Sequence, residues 1–419
     1  YKAYAADGAQ ISGEVAAAVS AEIEKTDIFD DVKLVDFEEA LAAGTIEYID
    51  NALIERYYAA VMAQALRPEL GKTAGLRLVY TPLNGSGLVP VMTVLKRMGH
   101  TDITVVPEQE KPDGDFPTCP YPNPEILEAM QLGLNLCEKL GADLLLATDP
   151  DSDRVGTAVL QNGAPRLISG NEMGVLLLDY ICRTRLELCK MPENPVAVRS
   201  IVSTTMSDAV AAHYGVEMRQ VLTGFKYIGE QIAHLEAEGH PERFLFGFEE
   251  SYGYLSGGYV RDKDAVVASM LICEMAAWYK GQGKNLGEAL DDLYAQYGYY
   301  FNKVDSYTFP GSDGMEKMAV LMQKLRTELP FVIGSRAVTG HTDYETGLRY
   351  EDGEGKTHTG LPAADVMEFR FGKEGSLVAR PSGTEPKLKF YYSLRASDRA
   401  AAEAAYGEIK ASVERWLGL

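Results

Sequence analysis

Three aspartates at alternate positions, Asp149, Asp151 and Asp153, stand in the run DPDSDR directly after the apolar stretch ADLLLAT. A short apolar run bounded by a turn reads as a buried strand, and ligand sites in open α/β sheets lie at the carboxyl ends of strands. Three carboxylates crowded on one loop repel one another unless a cation sits between them. Hard oxygen donors suit Mg²⁺, which takes few protein carboxylates and keeps positions for water or phosphate. A calcium loop also begins D-x-D-x-D, but it needs Gly at its sixth position and Glu at its twelfth. Arg154 and Leu160 stand there, so that reading fails. The bland alternative is a solvated acidic turn.

Four further motifs carry candidate chemistry. In GFEESYGY, Glu249 and Ser251 lie two apart, so on an extended loop they point the same way and could bond sugar hydroxyls; an acidic surface turn is the alternative. In RDKDA, Lys263 between two aspartates reads either as a solvated cluster or as a cation beside a transferring phosphate. In RPSGTEPK, Arg380 can grip a phosphate bidentately. Ser382 and Thr384 add hydroxyls there, and Gly383 permits close backbone approach; a hairpin turn of small residues is the alternative. In TGFKYIG, Thr223 and Gly224 could touch a ligand with Lys226 adding charge, or simply open a helix. Ser86 in NGSG has no neighbouring His and reads as structural. The six histidines are scattered singly, without metal-ligand spacing.

The elements that must position these motifs alternate. LRLVY, ITVVP and ADLLLAT read as strands, separated by helical LVPVMTVLKRMG and PEILEAMQLGLNLCEKLG. Such alternation implies an α/β unit with a mostly parallel sheet. Residues 190–300 repeat the style, with strands VAVRSIVS and FLFGFEE and a long amphipathic helix in DAVVASMLICEMAAWYKG. The likeness of LRLVYTPLNGSG to VAVRSIVSTTMSD suggests related units. Beyond 303, MEFRFG, SLVARP and KLKFYYSL predict an antiparallel sheet, closed by a helix N-capped at Ser397. The fold class expected is α/β, with consecutive related domains of mixed sheets and a C-terminal α+β domain. The domains expected are 1–50, the tail of a first domain; 51–188, with the metal loop; 189–302, with the sugar loop; and 303–419, with the phosphate loop.

The composition is that of a globular chain, 46% hydrophobic and 24% charged, with no apolar run long enough to span a membrane. A net charge of −21 argues against nucleic acid, but a local cluster of Arg and Lys can still bind phosphate. Five cysteines without a CxxC pair read as reduced thiols of a cytoplasmic protein.

DPDSDR, TGFKYIG, GFEES, RDKDA and RPSGTEP resemble the signature set of the α-D-phosphohexomutases, the phosphoglucomutase/phosphomannomutase family, across essentially the whole chain. TGFKYIG and GFEESYGY are most similar to its bacterial phosphoglucomutase branch. The resemblance implies a heart-shaped enzyme with one central cleft that interconverts hexose 1- and 6-phosphates, glucose first, through a phosphoserine. Hexose 1,6-bisphosphate would be intermediate and activator. It implies Mg²⁺ on Asp149, Asp151 and Asp153, and Arg154 and Lys263 neutralising charge at the transfer site. It puts sugar contacts on Thr223, Gly224, Glu249 and Ser251, and the non-reacting phosphate on Arg380, Ser382, Gly383 and Thr384. The family's serine lies in a T-A-S-H-N-P segment expected just upstream of Tyr1, so these 419 residues alone are expected not to turn over. The expected partner is a small sugar phosphate, with no nucleic acid or membrane, and the expected state is monomer or dimer. The alternatives are phosphomannomutase, phosphopentomutase, or a non-catalytic sugar-phosphate-binding protein.

Overall fold

The computed structural model describes residues 2–11, 13–353, 355–383 and 385–419. Thr384, expected in the phosphate loop, lies outside the described residues.

The first sheet has the order Ile103–Val105, Leu78–Thr81, Leu144–Thr148, Val155–Gln161, Ala164–Ile168. Its first three strands are parallel and the last two antiparallel, so it is mixed rather than mostly parallel. The cause is local. The DPDSDR loop turns the chain straight back onto its own strand, whereas a parallel neighbour needs a long crossover. The next reversal, Asn162-Gly163, has both residues at positive φ and joins paired Gln161 and Ala164, the geometry favoured in two-residue hairpins. Strand Leu144–Thr148 is buried on both faces. Leu144 and Leu146 enter one core with helix Leu88–Met98, while Leu145 and Ala147 enter another with helix Leu127–Leu140.

The second sheet runs Glu217–Val221, Val196–Ser200, Phe244–Glu249, Gly253–Ser256, with only the last strand antiparallel. Helix Gly170–Glu187, which precedes the expected boundary at 188, packs on this second unit through helix Met206–Tyr214 and strand Phe244–Glu249. Helix Ala265–Lys280 is not amphipathic in place. It is buried almost all round, as expected for a helix wedged between layers. It packs on helix Leu88–Met98 of the first unit and strand Gly253–Ser256 of the second, and one hydrophobic core runs through both units.

The C-terminal unit is a seven-stranded sheet, antiparallel at every pairing: Tyr299–Thr308, Lys387–Ala396, Gly375–Pro381, Met367–Arg370, Gly340–Asp343, Leu348–Glu351, Gly355–His358. Helices Gly314–Thr327 and Arg399–Leu417 cover one face. The last helix is capped by Asp398, whose carboxylate accepts the Ala401 N–H at 2.9 Å, and not by Ser397. Ser397 instead donates its hydroxyl to Asp398. The opposite face meets the second unit through Ile201, Val202 and Leu222 against Tyr344, Val366, Val378 and Tyr391. Among the described residues, no helix is long and apolar enough to cross a membrane.

Candidate functional site

DPDSDR hangs from the carboxyl end of strand Leu144–Thr148 and is wrapped around its own first carboxylate. Asp149 Oδ1 accepts the backbone N–H groups of Asp153 (3.0 Å) and Arg154 (2.9 Å), and Oδ2 accepts from Arg154 Nε at 2.6 Å. The NGSG turn braces the loop from behind. Ser86 donates both its backbone N–H and its hydroxyl to the Pro150 carbonyl. A Cβ at Gly85 would stand 2.3 Å from Pro150 Cα, so the glycine is required by the close approach. Ser86 is thus a brace, in line with its structural reading.

One carboxylate oxygen from each of Asp149, Asp151 and Asp153 lies within 4.8 Å of the others, with Asp149 buried and Asp151 exposed. The donor set, three hard oxygens on one loop with an open side, fits a divalent cation. Burial pushes the Asp149 carboxyl up to about 6, against the pull of Arg154. Burial would raise Asp153 too, but the ammonium groups of Lys263 and Lys2 overrule it and hold Asp153 below its usual value.

RDKDA closes on this loop. Lys263 Nζ sits 2.5 Å from Asp153 Oδ2, and Lys2 reaches the same oxygen at 3.1 Å. Gly253 leaves room for Lys263: a Cβ there would stand 2.5 Å from Lys263 Cδ. The Ala265 N–H donates to the Ser152 carbonyl. Asp264 caps helix Ala265–Lys280 through the N–H groups of Val266 and Val267, and accepts the hydroxyls of Tyr57 and Tyr259. These residues line a cavity of about 520 Å³ with Asp151, Asp153, Lys263, Lys2 and Tyr4 in its wall.

GFEES is a tight hairpin, not the extended loop assumed from the sequence. Glu249 ends one strand, Gly253 begins the next opposite it, and Tyr252 between them has φ 68°. The premise that Glu249 and Ser251 share a side through strand alternation therefore does not apply. Ser251 lies half-buried in the turn. Glu249 is buried and accepts the Gly224 N–H on Oε1 at 2.6 Å, which joins it to TGFKYIG. Burial, then the neighbouring Glu250, push its carboxyl up to about 7. The hairpin is also tied to DPDSDR, since Arg154 bridges Gly253 and the Val155 N–H donates to the Tyr252 carbonyl.

Arg380, Ser382 and Gly383 line a second cavity of about 550 Å³ with Thr223 and Lys226. Neither Arg380 nor Lys226 has a carboxylate within ion-pair distance among the described residues; Lys226 lies 4.9 Å over the Tyr227 ring. Thr223 Oγ1 is buried without a hydrogen-bond partner. The metal loop lines the first cavity and the phosphate loop the second. Gly224, whose N–H Glu249 accepts, adjoins Thr223 in the wall of this second cavity.

Sequence reasoning missed several partners. Glu125 pairs with Arg154 Nη1 at 3.4 Å. Glu250 accepts from the hydroxyls of Ser200 (2.9 Å) and Ser203 (3.4 Å), and its buried carboxyl is raised. Lys2 had no motif to flag it, because its role comes only from chain packing.

Three family models match: phosphoglucomutase/phosphomannomutase alpha/beta/alpha domain II over residues 55–162, alpha/beta/alpha domain III over 169–297, and the C-terminal domain over 349–409. A phosphoglucomutase of Staphylococcus haemolyticus is 36% identical over 396 residues, covering 94% of this chain and 70% of the relative. One of Staphylococcus epidermidis is 34% identical over 399 residues with the same coverage. Among solved structures, the open form of pp63/parafusin from Paramecium aligns at TM-score 0.61 and 16% identity, over 94% of this chain and 66% of that one. A putative phosphomannomutase from Thermus thermophilus aligns at TM-score 0.58 and 18% identity, over 88% of this chain and 66% of that one. At those identities the two structures speak to the fold alone.

Proposed function

This chain belongs to the phosphoglucomutase/phosphomannomutase family, and we propose that it supplies the metal, sugar and phosphate sites of an enzyme interconverting glucose 1-phosphate and glucose 6-phosphate. The observation that carries the reading is a pair of loops: the Asp149, Asp151 and Asp153 triad with Lys263 against it, and the Arg380 loop, where neither Arg380 nor Lys226 has a carboxylate within ion-pair distance among the described residues. A substrate with anionic groups at both ends needs such a pair.

Phosphoryl transfer depends mostly on positioning and on neutralising charge. Mg²⁺ on Asp149, Asp151 and Asp153 would supply part of that neutralisation. Lys263 and Arg154 add fixed positive charge at the same place. Glu249, pinned by the Gly224 amide, is positioned to bond a sugar hydroxyl, with Ser251 and Thr223 as further hydroxyl partners. Arg380, Ser382 and Gly383 hold the phosphate that is not reacting, and Thr384 belongs to the same loop in sequence. Because that anchor is separate from the transfer site, it can serve either end of the sugar, as a reaction through hexose 1,6-bisphosphate requires. The phosphoryl carrier is the serine of the family's T-A-S-H-N-P segment, which is not part of this sequence. A cytoplasmic location agrees with five free cysteines, four of them buried.

The test is a coupled assay on a polypeptide carrying this chain behind that segment. The reading expects Mg²⁺-dependent glucose 6-phosphate formation, stimulated by glucose 1,6-bisphosphate, with label from the bisphosphate found on serine. Faster turnover of mannose or pentose phosphates would reassign the substrate. Absence of both turnover and label with every sugar phosphate would overturn the mutase reading.

A further inference from the structure

The C-terminal unit rests on the second α/β unit through one apolar contact, Ile201, Val202 and Leu222 against Tyr344, Val366, Val378 and Tyr391. Leu222 also lines the Arg380 cavity, whereas Ile201 lines a different crevice of about 380 Å³. The crevice and the Arg380 cavity therefore flank the same apolar contact.

Five cations line this crevice: Arg199, Arg349, Arg370, Lys373 and Arg395. Two are spoken for. Arg199 binds Asp208 through Nε and Nη2, both at 2.8 Å, and Arg370 pairs with Glu351 and Glu368. The other three have no carboxylate within ion-pair distance among the described residues. Arg349 Nε is buried with no hydrogen-bond partner. Arg395 donates to the Tyr297 carbonyl and lies 5.5 Å over the Tyr300 ring. In a chain with 61 acidic and 40 basic side chains, unpaired cations converging on one crevice run against the charge balance. Thr205 and Gln220 add neutral hydrogen-bonding groups from the facing wall.

We propose that this crevice is a second anion site, taking a small phosphorylated metabolite of at least two negative charges on Arg349, Lys373 and Arg395. The chemistry is that of the Arg380 cavity: guanidinium and ammonium groups with no carboxylate within ion-pair distance among the described residues, and so available to phosphoryl oxygens. Arg349, Lys373 and Arg395 belong to the C-terminal unit and Thr205 and Gln220 to the unit it rests on. A bound anion therefore bridges the two and biases the angle at which the Arg380 loop is presented. The site stands on its own residues; only the blocking of the Arg380 cavity in its test rests on the proposed function.

Pyrophosphate is the probe, titrated by calorimetry into the chain with glucose 1-phosphate saturating the Arg380 cavity. The expected result is one remaining pyrophosphate site, weakened at least about tenfold by the pair Arg349→Ala and Lys373→Ala. Arg380→Ala should leave it in place. Thermal melts check that the double variant folds; if it does not, the exposed single change Lys373→Glu carries the test with the same expected direction. The proposal is overturned if pyrophosphate gives no saturable heat at millimolar concentration, or if the binding that remains is unchanged in the crevice variants.

Discussion

Asp151 makes no hydrogen bond among the described residues, whereas Asp149 holds up the backbone of its own loop and Asp153 is shared by Lys2 and Lys263. Asp151→Asn therefore isolates the metal contribution from the loop's structure. It should weaken Mg²⁺ binding at least about tenfold, with an unchanged melting temperature, as judged by calorimetry. Unchanged affinity would remove Asp151 from the metal site. Glu249 gives a prediction in pH. Its carboxyl is raised from 4.5 to about 7 by burial and by Glu250. Below 4.5 the folded and unfolded chains are both protonated there, and this group adds no pH dependence. Between 4.5 and 7 the unfolded chain releases the proton while the folded one keeps it, so stability falls as pH rises; above 7 the loss is constant. Glu249→Gln should remove that slope in urea melts taken between pH 5 and 8. A slope identical to the parent's would show that Glu249 is ionised in the fold throughout. The spacing of DPDSDR made its aspartates legible from sequence, because a strand end fixes where a loop points. Lys2 and Glu125 were not legible, because only tertiary packing brings them to Asp153 and Arg154.

Elements hold these residues through a few strong joints. Asp264 is one: it caps helix Ala265–Lys280 and accepts two tyrosine hydroxyls, Tyr57 from helix Asn51–Met62 and Tyr259. Asp264→Ala removes a cap worth about 1 kcal/mol and leaves buried hydroxyls short of a partner at about 1–3 kcal/mol. A loss of roughly 2–4 kcal/mol in urea unfolding is expected; a loss under about 0.5 kcal/mol, the range of ordinary surface changes, would show that the joint is idle. The sequence made most helices and strands readable, yet the hairpin over 155–168 is absent from the expected elements although its Asn-Gly turn signals it. Helix Ala265–Lys280 departs from the one-faced expectation, although its sequence, apolar at nearly every position, already signals burial all round. At the last helix, two adjacent residues, Ser397 and Asp398, were both able to cap, and packing selected the second.

The whole molecule joins two mixed sheets through one core and sets the antiparallel unit against the second sheet. That much followed from the alternation of strands and helices and its change beyond residue 303. The relation between the metal loop and the phosphate loop did not follow, because it depends on how the C-terminal unit stands on Ile201, Val202 and Leu222. The two loops line cavities of about 520 and 550 Å³, and a swing of the C-terminal unit over that contact would change the distance between them. Motions of this kind commonly gate such sites. The central claim is that the aspartate loop and the Arg380 loop grasp opposite ends of one sugar. A crystal structure of the chain with Mg²⁺ and glucose 1,6-bisphosphate tests it directly. The account predicts one phosphoryl group beside Asp151 and Lys263 and the other on Arg380 and Ser382, with Glu249 bonded to a sugar hydroxyl between them. Both phosphoryl groups held in a single cavity, with the other loop untouched, would contradict it.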